Sequence, residues 1–135
     1  MLLKEPLLKS IIRNHNTNRQ VVILAGGLGT RLKTISGSIP KSLVNIDGMP
    51  VLEHSIRQCK VYGFTDIIIL ASHKYQLLKS YFGDGSKFGV SIRFYIENEP
   101  RGTGGALVDS LMCLSETFLV LYGDIFFDVD LNEIW

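Results

Sequence analysis

Within one short stretch the chain sets Leu24-Ala25-Gly26-Gly27-Leu28-Gly29-Thr30-Arg31-Leu32 ahead of a Pro40-Lys41 pair. Three glycines after an apolar run let a backbone turn sharply. With no side chains in the way, several amide N–H groups then come within reach of a polyphosphate. A helix starting there adds a field that favours negative charge. Arg31 contributes a planar fork for bridging phosphate oxygens, and Lys41 a compact, movable charge suited to a phosphorus under attack. Two cations of different shape predict two phosphate positions.

Other glycine-rich loops fit this spacing worse. A dinucleotide-binding loop requires a further glycine three residues after Gly29, where the chain has Leu32. A P-loop requires Gly-Lys-Ser or Gly-Lys-Thr at the helix start, and neither is present.

The elements around this stretch are legible from periodicity. Val21 to Ala25 is a continuous, mostly β-branched run that predicts a strand buried on both faces. Pro50 opens a helical pattern through Val51, Leu52, Ile56 and Val61, closed by Gly63. Asp66 to Ala71 predicts a second strand, Tyr75 to Phe82 a short helix ended by Gly83, and Ser91 to Ile96 a third strand after a turn-rich loop. Thr103 to Leu114 predicts another helix, and Thr117 to Tyr122 a fourth strand running into Gly123-Asp124. This alternation predicts an α/β three-layer sandwich with a mainly parallel sheet. Right-handed crossovers put the loops after Ala25, Ala71, Ile96 and Tyr122 on one edge, where such sheets bind ligands.

Ahead of the first strand, Leu3, Leu7, Leu8, Ile11 and Ile12 have helix-compatible spacing, and Asn14 to Asn18 form a polar break. Residues 1–19 are therefore expected to be an appended amphipathic helix and linker, with one domain over 20–135. Packing or tethering is the plain role of that helix. A dimer contact is the sharper one and leaves a homo-oligomer open.

A chain of 135 residues, nearly half apolar and a fifth charged, suits one core. A formal net charge of +1 gives no broad basic face for nucleic acid, so any anion must be bound locally. Cys59 and Cys113 form no CxxC pair and sit in apolar helical patterns, which predicts buried free thiols. Apolar runs such as Phe118 to Tyr122 fall far short of the roughly 20 residues needed to cross a bilayer. No signal-peptide pattern opens the sequence, so a soluble, cytoplasmic protein without membrane contact is expected.

The glycine-rich stretch resembles the signature of the sugar-1-phosphate nucleotidyltransferases, also called nucleoside-diphosphate-sugar pyrophosphorylases. The likeness includes the Gly-Gly-x-Gly-Thr-Arg-Leu core, the Pro-Lys ten residues after the arginine, and the segment Asp47 to His54. It extends to Phe82-Gly83-Asp84-Gly85, to Glu99-Pro100-Arg101-Gly102-Thr103-Gly104-Gly105-Ala106, and to Gly123-Asp124. Many members carry a proline and threonine between the arginine and the Pro-Lys. Here the segment is Lys33 to Ile39, which is more similar to the mannose and heptose 1-phosphate guanylyltransferase branch.

The resemblance implies a Rossmann-like fold and an in-line displacement in which a sugar-phosphate oxygen attacks the α-phosphorus of a nucleoside triphosphate and pyrophosphate leaves. The nucleophile is already anionic, so positioning and charge neutralisation suffice. Arg31 and Lys41 are the implied catalytic residues, on the leaving phosphates and the α-phosphate respectively. Leu24, Ala25, Gly26, Gly27, Gly29, Thr30, Glu97, Gly102 and Thr103 are the implied nucleotide-binding set. Asp124, at the end of a strand, is the implied ligand of Mg2+. Gly26 and Gly102 would let backbone lie against the base. Glu97 matches the N1 and N2 donors of guanine, where family members using uridine or thymidine often have an amide, and so favours GTP.

Asp128 and Asp130 read as turn residues, and Glu99 as a loop acid. His15, His54 and His73 take no role, and the aromatic set Tyr75, Tyr81 and Phe82 is left to surface or packing. The resemblance covers Gln20 to Trp135 and lacks the part that carries most of the sugar site and a second metal-binding aspartate. A truncated enzyme is one expectation. A catalytically silent nucleotide-binding or regulatory module of the same fold is the other.

Overall fold

The computed structural model describes residues 19–27, 39–72, 74–99 and 101–135. Strands β1 (Gln20–Leu24), β4 (Asp66–Ala71), β5 (Ser91–Ile96) and β6 (Leu119–Tyr122) form one parallel sheet in the order β5-β4-β1-β6. Between β1 and β4 lie a small antiparallel hairpin, β2 (Asn45–Ile46) and β3 (Met49–Pro50), and helix α1 (Val51–Val61). Helix α2 (Tyr75–Phe82) joins β4 to β5, α3 (Gly102–Ser110) joins β5 to β6, and α4 (Leu131–Ile134) follows β6.

The inner strands are apolar runs rich in Val and Ile because both of their faces are covered. Val21, Ile23, Ile67, Ile69 and Ile92 pack on one side against Leu52, Ile56 and Cys59 of α1 and Leu78 and Phe82 of α2. Val22, Ile68 and Leu70 face Ala106 of α3 on the other side, with Leu107, Leu114 and Phe118 beside it. Alternation along each strand thus builds the three layers, and each fully buried Leu or Ile contributes roughly 1.5–3 kcal/mol. At the opposite end of the sheet from the glycine turn, buried Gln20 is satisfied by Asp66 (2.7 Å) and by the Ser115 amide (2.7 Å).

The strand order reverses at β1. The chain steps outward from β1 to β4 to β5, then crosses back through α3 to place β6 on the other side of β1. Leu24 pairs with both Leu70 and Tyr122, and Ala71 with Ile96, so all four C-terminal ends meet on one edge. The reversal between β1 and β6 is the kind of switch point where doubly wound sheets open a crevice.

Several expectations need adjustment. The hairpin around Asp47-Gly48 was not anticipated, although Asp-Gly is a strong hairpin signal; both residues have positive φ. The helix expected to run to Leu114 ends at Ser110 and tightens into a 3-10 turn over Leu111–Cys113. The Ser110 hydroxyl there donates to the Leu107 carbonyl at 3.0 Å. That early end corrects the reading of Cys113: it is exposed beside Met112, which is 98% exposed, whereas Cys59 is buried. β6 is an edge strand with Val120 and Tyr122 partly open to solvent. The amphipathic helix expected over 1–19 lies outside the described residues apart from Arg19. That guanidinium donates to the Tyr62 carbonyl at 2.8 Å and stands over the rings of Phe64 and Trp135.

Candidate functional site

The strand ends are tied together by their backbones. Ala25 N–H donates to the Leu70 carbonyl (2.8 Å), Gly123 N–H to the Leu24 carbonyl (2.9 Å) and Glu97 N–H to the Ala71 carbonyl (2.9 Å). The Ser72 hydroxyl, at the end of β4, donates to the Gly26 carbonyl at 2.6 Å. A methyl group on Gly26 would stand 3.0 Å from Glu97 Oε2 and 3.5 Å from Ser72 Oγ. A side chain at 26 would therefore press on the Glu97 carboxylate, which could make room only by shifting away from the turn. Ser72 was not singled out from the sequence. A serine just past a buried strand on the ligand edge was the available signal.

Glu97 is half-buried, and its Oε1 is the one buried side-chain oxygen or nitrogen among the described residues that lacks a hydrogen-bond partner. Burying an acceptor without a donor costs free energy that a bound donor restores. Beyond it, Gly102 opens α3 at φ +74, a conformation that favours glycine, with open space where a side chain would stand. Thr103 and Glu99 are exposed. A cleft of about 220 Å³ lies here, lined by Tyr95, Glu97, Asn98, Glu99, Arg101 and Asp109.

Lys41 begins a 3-10 turn (Lys41–Leu43) directly after Pro40 and is half-buried. The turn is closed by Leu43 N–H on the Pro40 carbonyl (2.9 Å), and Val51 N–H on the Val44 carbonyl (3.0 Å) connects it to α1. Asp124 follows buried Gly123 and has an exposed carboxylate. His54 of α1 joins the hairpin to the segment after β6. Its Nε2 is 2.8 Å from the Ile46 carbonyl, which only accepts, so that nitrogen carries the proton. Its ring meets Phe126, two residues beyond Asp124, edge-on at 5.5 Å. This linking role of His54 was missed, because helix spacing alone does not reveal a partner on another segment.

At the start of α1, Glu53 is buried and accepts from Tyr81 (2.7 Å) and Arg57 (2.8 Å). Burial opposes its ionisation, but the hydrogen bonds from Tyr81 and Arg57 and the charges of Arg57 and Lys87 outweigh it, holding the carboxyl below the usual range. The same hydrogen bond raises the Tyr81 phenol. Burial pushes the Cys59 thiol up to about 12. Asp130 caps α4 by accepting from Asn132 N–H at 2.8 Å, in keeping with its reading as a turn residue.

The structure thus brings together Leu24, Ala25, Gly26, Glu97 and Gly123, while Gly27 is exposed at the turn. Among the described residues, Lys41, Thr103 and Asp124 make no hydrogen bond or ion pair with that group. Gly29, Thr30, Arg31, His73 and Pro100 lie outside the described residues. No group of three or more potential metal-ligating side chains occurs among the described residues. A lone exposed carboxylate such as Asp124 fits a hard cation that takes the rest of its shell from phosphate and water.

The nucleotidyl transferase family model matches residues 20–135. The chain is 44% identical over 115 residues to a D-glycero-alpha-D-manno-heptose 1-phosphate guanylyltransferase of Campylobacter jejuni, covering 85% of this chain and 52% of that protein. It is 34% identical to a mannose-1-phosphate guanylyltransferase of Mycobacterium tuberculosis, covering 84% of this chain and 32% of the relative. The crystal structure of HddC from Yersinia pseudotuberculosis complexed with GMP-PN superposes with a TM-score of 0.77 at 38% identity, over 86% of this chain and 52% of that one. The chain spans about half the length of the heptose 1-phosphate relative and of HddC. With the glycine turn, the parallel sheet and the switch-point edge all in the matched region, the chain belongs to the nucleotidyl transferase family.

Proposed function

We propose that this chain is the nucleotide-binding part of a sugar-1-phosphate guanylyltransferase, which joins GTP to a manno-configured sugar 1-phosphate and releases pyrophosphate. The observation that carries the guanine assignment is the buried, unpartnered Oε1 of Glu97 at the ligand edge. A carboxylate there accepts in parallel from N1–H and N2–H of guanine, and no other base offers that pair of adjacent donors. The guanylyltransferase relatives and the neighbour complexed with GMP-PN support the same reading.

In this reading the glycine-rich stretch from Leu24 to Thr30 supplies backbone N–H groups to the phosphates, and Gly26, Gly102 and Thr103 border the nucleoside. Arg31 holds the leaving β and γ phosphates and Lys41 the α-phosphate. A sugar-phosphate oxygen forms the new bond to the α-phosphorus while the bond to the bridging oxygen breaks, and pyrophosphate carries away the electron pair. Asp124 would hold Mg2+, which when bound neutralises phosphate charge. The protein's own task is alignment and charge compensation, both strongest in a site that excludes water. A cytoplasmic location, where nucleotide and sugar phosphate are both at hand, belongs to this proposal; no helix among the described residues is long and apolar enough to cross a membrane.

Pyrophosphate release measured with GTP, UTP, CTP, ATP and dTTP against mannose, heptose and glucose 1-phosphates tests the proposal. GTP with a manno-configured phosphate is expected to give the highest rate. Equal rates with all five triphosphates, or nucleotide binding that does not favour GTP, would contradict the proposal.

A further inference from the structure

We propose that Arg101 is a second base-reading residue, donating to O6 and N7 of guanine across the cleft from Glu97; this rests on the reading of Glu97 given above. Both side chains line the same cleft of about 220 Å³ between the end of β5 and α3. That volume lies below the roughly 300–1,000 Å³ of drug-sized sites and suits one planar heterocycle.

The Arg101 side chain is held in place by two features. Its Nη1 spans both carboxylate oxygens of Asp109, at 3.0 and 3.2 Å, eight residues further along α3. Gly105 leaves room for its stem, since a methyl group there would overlap the Arg101 Cβ. An ion pair with the arginine side chain 63% exposed contributes little to stability, so orientation is its main consequence. Among the described residues the pair engages Nη1 alone, leaving the other donors of the guanidinium fork for a ligand.

Guanine is the base these two groups describe together. It offers adjacent donors at N1 and N2 and adjacent acceptors at O6 and N7, the edge that arginine reads bidentately. Adenine replaces the O6 acceptor with a donor, and uracil has no counterpart of N7. Asp109 is then a positioning residue that acts through Arg101.

The test is equilibrium titration of the whole chain with GTP, 7-deaza-GTP and UTP, for wild type, Arg101→Ala, Arg101→Lys and Glu97→Gln, with circular dichroism to verify folding. Wild type is expected to bind GTP roughly tenfold more tightly than 7-deaza-GTP, which lacks the N7 acceptor. Arg101→Ala should weaken GTP by roughly tenfold, remove the difference between GTP and 7-deaza-GTP, and leave UTP unchanged. Arg101→Lys keeps the charge without the fork and should also lose that difference. If wild type and Glu97→Gln both bind UTP as tightly as GTP, the guanine reading fails and this proposal with it. If wild type prefers GTP but folded Arg101→Ala keeps the wild-type ratio of GTP to 7-deaza-GTP, this proposal alone is overturned.

Discussion

Ser72 Oγ donates to the carbonyl of Gly26 at 2.6 Å, fastening the end of β4 to the turn that leaves β1. The two residues are far apart in sequence and adjacent on the ligand edge, so this bond shapes the turn from outside it. Glu97 Oε2 approaches the same glycine from the next strand along. The turn is therefore set by its neighbours as much as by its own glycines.

Ser72→Ala is expected to lower stability by about 1 kcal/mol, the usual worth of one neutral hydrogen bond. It should weaken GTP binding more than that loss of stability accounts for, because the turn is released. Gly26→Ala should be worse for GTP, since the added methyl group displaces the Glu97 carboxylate. Chemical denaturation read beside nucleotide titration separates the two effects. Equal GTP affinity in wild type and Gly26→Ala would contradict the close approach of Glu97.

Glu53 gives the fold a pH dependence. Its carboxyl titrates below the usual range in the folded chain, so the ionised form stabilises the fold above the unfolded-state pKa. That contribution fades as pH falls through the folded-state value, into the acid range. Tyr81→Phe removes one of the hydrogen bonds that lower it and, with Tyr81 partly exposed, should cost about 1 kcal/mol near neutral pH. The difference between variant and wild type should shrink on acidification. Thermal unfolding from neutral pH into acid measures it, and a difference that grows on acidification would contradict the assignment.

The two cysteines should react differently. Cys113 is exposed, whereas Cys59 is buried against α1's neighbours and its thiol is raised to about 12. A thiolate is the reactive form, so a maleimide should label one thiol per native chain and two after denaturation. Mass spectrometry after digestion identifies the site, and native labelling at Cys59 would refute the packing.

Much of this arrangement was legible in the residues. The β-branched runs of β1 and β4 fixed their place in the sheet, because continuous apolar strands satisfy both faces only at its centre. Gly83 and the stretch from Val51 to Val61 marked α1 and α2 because caps and helical spacing are local signals. Glu97 was legible as a candidate from its loop, but its proximity to Gly26 was not, since that depends on β5 lying two strands away from β1 in the sheet. Ser72 and His54 escaped notice for the same reason: their partners are distant in sequence. Cys113 departs from the buried thiol that its apolar stretch predicts, because the helix ends at Ser110 and leaves the next turn uncovered.

Calorimetric titration of the chain with GTP and with GMP, in the presence of Mg2+, tests most directly the claim that the glycine-paved turn holds a polyphosphate. GTP should bind at least about tenfold more tightly than GMP, the scale of one or two charge-assisted hydrogen bonds, and Arg31→Ala and Lys41→Ala should each remove most of that advantage. GTP binding no more tightly than GMP, or an advantage that survives both substitutions, would contradict the account.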